Sequence, residues 1–165
     1  MTKILVAYGT AAGSTKEVAE TIGEVLRNTG LDVDVCAVES IKSLAGYDSL
    51  VLGTGVRAFR LLDGTMKFLR KFKKQIREIP FTAFLVCLTM CEDTPEHRDS
   101  AMKFAKPLFK VKEPLSLGLF GGVMNPDKLT GVAKMMFQNA KFEDGRNWDA
   151  IKAWANEVSA LLNLN

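Results

Sequence analysis

The apolar run Ile4-Leu5-Val6-Ala7 leads through Tyr8-Gly9-Thr10-Ala11-Ala12-Gly13-Ser14-Thr15-Lys16 into an amphipathic pattern at Val18, Ala19, Ile22, Val25 and Leu26. A short apolar run reads as a buried strand, and the 3.6-residue spacing that follows reads as a helix. A buried strand therefore turns sharply into a helix. The turn is built from small and hydroxyl residues, so backbone N–H groups at the helix N-terminus stay unpaired and accessible, which makes a phosphate site. The hydroxyls of Thr10, Ser14 and Thr15 add donors. A nucleoside-triphosphate loop, G-x-x-x-x-G-K-S/T, is disfavoured because Gly13 is followed by Ser14-Thr15-Lys16. The dinucleotide fingerprint G-x-G-x-x-G fails because Gly9 is followed by Thr10-Ala11.

Strands and helices then alternate with short connections and no internal repeat, which predicts an α/β fold with a parallel sheet. The first strand spans Lys3 to Tyr8, and the first helix runs from about Ser14 to Asn28 before Gly30 stops it. The second strand, Asp32 to Val38, alternates Val33, Val35 and Ala37 with other residues and suits an outer position. The third, Ser49 to Gly53, is apolar enough to be central, and Thr54 to Arg60 form a loop at its carboxyl end. The second helix spans about Leu62 to Ile76. Leu62, Met66, Leu69 and Ile76 face the sheet, with Phe68 and Phe72 beside them. The fourth strand, Thr82 to Leu88, ends in a loop from Thr89 to Pro95, and the third helix starts near Pro95 and carries Met102, Phe104 and Ala105 before Pro107. The fifth strand is Leu115 to Gly121. The final helix packs Trp148, Ile151, Trp154, Val158, Leu161 and Leu162 into the core.

At 165 residues the chain makes about one domain, residues 1–165, and folding at that size buries roughly 70% of the unfolded surface. No apolar run reaches the length of a membrane span, and Met1-Thr2-Lys3-Ile4 has no signal-peptide layout, so a cytoplasmic location is expected. Cys36, Cys87 and Cys91 form no pairable set, and Cys87-x-x-x-Cys91 lacks the spacing of a redox or zinc pair. With a single histidine, His97, no metal centre is expected. The net charge of +3 is mild but unevenly spread. Arg57, Arg60, Lys67, Arg70, Lys71, Lys73, Lys74 and Arg77 share one segment with a single acid, Asp63. We read this block as a solvated helix face and expect no nucleic-acid partner.

Thr10, Gly13 and Thr15 match a Ser/Thr-x-Thr-Gly-x-Thr loop, and with it the chain resembles the flavodoxin family, in which that loop wraps the 5′-phosphate of FMN. Ala12 stands where a threonine is usual and removes one donor. The resemblance implies a doubly wound five-stranded parallel sheet of order 2-1-3-4-5 with helices on both faces. Ligands of such sheets lie beyond the carboxyl ends of the strands where the order reverses, here between the first and third strands. Three loops converge there. Thr10, Ala11, Ala12, Gly13, Ser14 and Thr15 are expected to bind phosphate, while Thr54, Gly55, Val56, Arg57, Phe59, Thr89, Met90 and Cys91 flank a planar ring. The resemblance further implies that the peptide of Gly55 contacts flavin N5.

The second ring loop has no aromatic residue, and the chain lacks the strong acidity of ordinary flavodoxins. Three stretches, Gly55-Val56-Arg57-Ala58-Phe59, Thr94-Pro95-Glu96-His97-Arg98 and Asp144-Gly145-Arg146-Asn147-Trp148, are similar to the flavodoxin-like branch that includes the menaquinone-dependent protoporphyrinogen dehydrogenases. That similarity implies two-electron dehydrogenation through FMN with a quinone acceptor. Because flavin chemistry belongs to the ring, no catalytic side chain is required, and His97 reads as a surface residue. Arg57 within roughly 8 Å of the reduced, negatively charged ring, at an effective dielectric near 20, would contribute about 2 kcal/mol before screening. Arg57→Gln should therefore lower the reduction potential, as read by redox titration.

Residues 123–143 form a helical insertion after the fifth strand. Asn125-Pro126 opens it, and Leu129, Val132, Ala133, Met136 and Ala140 make an apolar stripe widened by Met135 and Phe137, with Lys128, Lys134 and Lys141 nearby. Such a helix lies on a membrane, docks a partner or folds back onto the domain; Gly131 weakens it alone and favours folding back. Three functions stay open. The leading one is an FMN-binding carrier passing electrons between a donor and an acceptor, either a redox partner protein or a quinone or organic substrate. The others are an FMN-dependent protoporphyrinogen dehydrogenase using menaquinone, and a flavin-free domain whose basic second helix binds an acidic partner.

Overall fold

The computed structural model describes residues 2–139 and 141–163; Met1, Ala140 and the Ala133 side chain lie outside that description. Strand β1 (Lys3–Gly9) leads into helix α1 (Ser14–Asn28), followed by β2 (Asp32–Ala37) and β3 (Ser49–Arg57). A two-residue strand β4 (Arg60–Leu61) precedes α2 (Asp63–Lys71) and α3 (Lys73–Glu78), and then come β5 (Phe81–Cys87), α4 (Pro95–Phe104), α5 (Lys106–Val111) and β6 (Leu117–Gly121). The chain continues through β7 (Val123–Met124), α6 (Gly131–Met136), β8 (Glu143–Asp144) and α7 (Trp148–Asn163).

The main sheet runs β2-β1-β3-β5-β6 with every one of those pairs parallel, which is the expected order 2-1-3-4-5 once the short β4 is set aside. Alternate side chains of β1 feed two different cores. Ile4, Val6 and Tyr8 pack with α1 and α7 through Val18, Ile22, Leu26, Ile151, Trp154 and Val158. Leu5 and Ala7 pack on the opposite face with Phe68, Leu69, Phe72, Ile76 and Leu108 from α2, α3 and α5. Helices therefore cover both faces. The strand order reverses between β1 and β3, so the segments leaving those strands emerge side by side.

Two local expectations give way to the structure. The second helix is two pieces, because Phe72 at φ −108° interrupts it while its N–H still donates to Phe68 O at 3.0 Å. The interruption turns Phe68, Phe72 and Ile76 into the core and leaves Met66 half-buried. The third helix ends at Phe104, before Pro107 as expected, and Pro107 sits in the first turn of a separate helix, α5, where its missing N–H costs nothing. Of the apolar residues on that helix Met102 is 41% exposed, whereas Ala101 and Ala105 are buried.

The second concerns residues 123–143. Their helical part is only the six residues of α6, opened by Gly131 at φ +58°, and β7 pairs antiparallel with β8 to close the base of the excursion. Val132, Met135 and Met136 are 71–75% exposed and Phe142 is 64% exposed. The apolar stripe thus does not fold back onto the domain, since a helix of under two turns cannot present it to the sheet as one continuous face.

Candidate functional site

Gly13 carries φ +96° and ψ −11° at the N-cap of α1, a conformation that excludes most side chains, and its N–H donates to Thr10 Oγ1 at 2.9 Å. No side chain caps the helix. The N–H groups of Ser14, Thr15 and Lys16 consequently have no intrahelical acceptor, at the positive end of a fifteen-residue helix. Thr15, the second residue of the helix, is 1% exposed as a whole residue. It points toward Gly55, where a β-carbon would stand 3.3 Å from Thr15 Oγ1. A hydroxyl side chain beside free amides fits an anionic guest with several acceptor oxygens. Thr10 is half-buried, and Ala11 and Ala12 are exposed on the loop.

The segment expected as the first ring loop is largely strand. Thr54 to Arg57 prolong β3, and Val56 and Arg57 pair antiparallel with Leu61 and Arg60 of β4. The extended, β-branched Thr54 and Val56 favour this continuation. Only Ala58 and Phe59 form the turn, at φ +50° and +63°, the sign that a two-residue type I′ hairpin demands of both. Thr54 is buried, with its hydroxyl 2.8 Å from Thr65 Oγ1 and 2.8 Å from the Gly55 carbonyl, which joins this wall to α2.

A cleft of about 440 Å³ lies between Thr10 and Ala11 on one side and Arg57, Ala58, Arg60 and Leu61 on the other, with Glu39, Leu62, Asp63 and Gly64 also lining it. That volume is within the range of small-molecule sites. Phe59 is not among its lining residues. Its side chain is 76% exposed and rests on Phe104 with ring centroids 5.8 Å apart.

The third expected loop does not line this cleft, but its Met90 cluster packs against Val56 of the adjoining strand β3. Thr89, Met90 and Cys91 belong to a 3-10 turn over Leu88–Cys91. Met90, at 5% exposure, is packed with Cys87 and Ala101. Cys91 donates from Sγ to the Gly122 carbonyl at 3.4 Å and is pressed against Gly145. Burial raises both thiols, with nearby Glu143 and Asp144 adding to the effect at Cys91, and Cys87 is pushed up to about 11. Leu88, which the sequence reading passed over as the end of a strand, is 44% exposed there. His97 caps back onto this turn through its N–H to Thr94 Oγ1 and its ring Nδ1, 2.7 Å from the Glu92 carbonyl.

Two cations from distant sequence reach the phosphate-type loop. Arg146 contacts Glu17 Oε2 at 3.1 Å and the Ser14 carbonyl at 3.5 Å, holds both Asp144 oxygens, and stacks 4.8 Å from the Trp148 ring. This guanidinium keeps the Asp144 carboxyl below its ordinary value. Lys128 donates to the Ala12 carbonyl at 3.0 Å. Neither was among the candidate site residues. Arg146 carried a signal in its Asp-x-Arg-x-Trp spacing, whereas Lys128 carried none beyond its place beside an apolar stripe. Among the described residues no cluster of histidine, cysteine or carboxylate side chains could hold a metal, and no helix is long and apolar enough to cross a membrane.

The protoporphyrinogen IX dehydrogenase (quinone) of Escherichia coli K12 is 26% identical to this chain over 107 residues, which cover 62% of the chain and 59% of that enzyme. The aligned part is therefore less than two thirds of the enzyme's length. Among solved structures, Fusobacterium nucleatum flavodoxin bound to flavin mononucleotide superposes with a TM-score of 0.60 at 16% identity, covering 98% of this chain and 99% of that one. The flavodoxin of Streptococcus pneumonia TIGR4 gives 0.62 at 14% identity over 96% and 99%. These two establish a shared fold. The flavodoxin domain model matches residues 5–149, from within β1 to the start of α7, and on that match the chain belongs to the flavodoxin domain family.

Proposed function

We propose that this chain binds FMN and passes electrons between a donor and an acceptor. The observation that carries the reading is the uncapped N-terminus of α1, with the Thr15 hydroxyl at its start facing Gly55, set where the strand order reverses. When bound, the flavin supplies the electron-transfer chemistry, and the protein supplies binding and access. The amides of Ser14, Thr15 and Lys16 and the Thr15 hydroxyl would hold the phosphate. Thr10 and Ala11 on one side and Arg57 and Ala58 on the other would bound the ring, with the positive charge of Arg57 at the cleft favouring a more negative guest. Thr89, Met90 and Cys91 lie outside the cleft lining, and in this reading the Met90 cluster supports the β3 wall through Val56.

Absorbance of the purified or reconstituted protein in the flavin bands tests the reading. A colourless protein whose melting temperature ignores excess FMN would refute it. A second reading, oxidation of protoporphyrinogen with menaquinone as acceptor, is favoured by the match to the E. coli enzyme and by the Asp144-Arg146-Trp148 contacts. FMN-dependent turnover of protoporphyrinogen in the presence of a menaquinone separates the enzyme from the carrier.

A further inference from the structure

Lys128 and Arg146 both approach the start of α1, but their charges are balanced differently. Arg146 is 9% exposed in its side chain and is neutralised by two carboxylates, Asp144 at 2.8 Å and Glu17 at 3.1 Å. Lys128 has no carboxylate within 4.0 Å among the described residues, and the Ala12 carbonyl is its one hydrogen-bond acceptor there. An ammonium has three donors, so two remain for another acceptor.

Its acceptor stands beside the positive end of a helix. The positive end of a helix dipole repels a cation within the first turn, and Ala12 directly precedes the N-cap residue Gly13. A lysine held there becomes favourable once an anion sits between the ammonium and the free amides, because a charge-assisted contact is stronger than a neutral one. The local backbone holds Lys128 at that point. It ends a 3-10 turn over Pro126–Lys128, opened by the Asn125 side chain accepting from Asp127 N–H at 3.1 Å, two residues beyond β7 and its pairing with β8.

We propose that Lys128 is a phosphate-binding residue contributed by the excursion after β6, a latch that closes over the monophosphate of the guest and reads its charge. The inference rests on the FMN reading and adds to it a source of discrimination: the chain separates a flavin monophosphate from the same flavin without phosphate by a cation as well as by amides. A role as a mere tether for the excursion, through the Ala12 carbonyl, predicts no such discrimination.

The test titrates the full chain with FMN and with riboflavin, by flavin fluorescence, for the parent, Lys128→Gln and Lys128→Arg. Melting temperatures of the flavin-free proteins serve as the folding control. The expected result is a roughly tenfold loss of FMN affinity in Lys128→Gln with riboflavin binding unchanged, and retention of most of that affinity in Lys128→Arg. The dependence of FMN binding on salt should also be shallower in Lys128→Gln. Equal FMN affinities in parent and Lys128→Gln, or equal losses for both flavins, overturn the latch while leaving the FMN reading intact. A parent protein that binds neither flavin overturns the FMN reading and the latch with it.

Discussion

Replacing Gly13 by alanine isolates one physical effect. A β-carbon at this position meets nothing within 4 Å, so neither a clash nor a new packing contact enters the comparison. What remains is the backbone. The observed φ of +96° lies beyond the centre of the left-handed basin, where an L-residue loses about 1–2 kcal/mol relative to glycine. In a chain of this size each kcal/mol moves the melting temperature by about 2–4 °C, so Gly13→Ala should lower it by about 2–8 °C. Gly13→Asn, whose side chain tolerates positive φ, should recover part of that loss. If alanine escapes the loss by relaxing to negative φ, the Gly13 N–H leaves Thr10 Oγ1 and the amides of Ser14 to Lys16 turn away. FMN affinity then falls further than stability does. The assay is urea unfolding at constant slope, followed by FMN titration of each variant. An alanine variant as stable as the parent, or an asparagine variant as damaged as the alanine one, would refute the reasoning.

Ala58→Gly should act in the opposite direction. It relieves a left-handed alanine at the hairpin tip and should raise the melting temperature by about 2 °C, after the unfolded-state entropy of glycine is subtracted. Cys87, with its thiol pushed up to about 11 from an ordinary 9.0, should alkylate about a hundredfold more slowly in the native protein than in urea from the thiolate fraction alone, as read by mass spectrometry at pH 7.5. The folded-state shift of Asp144 is downward, so its stabilisation is present above the ordinary carboxylate range and is lost as pH falls through the folded value. Parent and Asp144→Asn should therefore differ in melting temperature at neutral pH, with the difference beginning to shrink below about pH 4 and vanishing only below the lowered folded value.

Much of this was legible because it rests on short-range pattern. The apolar runs of β1, β3 and β5 mark strands buried on both faces, and the small-residue turn before Ser14 marks a helix start with free amides. The hairpin at Arg57 to Arg60 was not legible. Ala58-Phe59 lacks the Asn or Gly that normally announces a type I′ turn, and only the pairing of Val56 with Leu61 imposes it. The break at Phe72 was equally silent, since Phe68, Leu69, Phe72 and Ile76 keep a helical spacing across it. Met90 shows a different limit. A methionine after a strand reads equally well as a ring contact or as a plug, and its neighbours Cys87 and Ala101 become known only once α4 is docked. Lys128 lies 116 positions from its acceptor, a separation over which no local pattern carries information.

Because β3 passes unbroken from the middle of the sheet to the edge of the cleft, Leu50, Val51 and Leu52 anchor the same ribbon that carries Gly55 and Arg57. That side of the opening inherits the stiffness of a fully paired strand. Accommodation of an incoming molecule therefore falls to the opposite bank, the few residues between Gly9 and Ser14, and to whatever leans upon them from the far end of the chain.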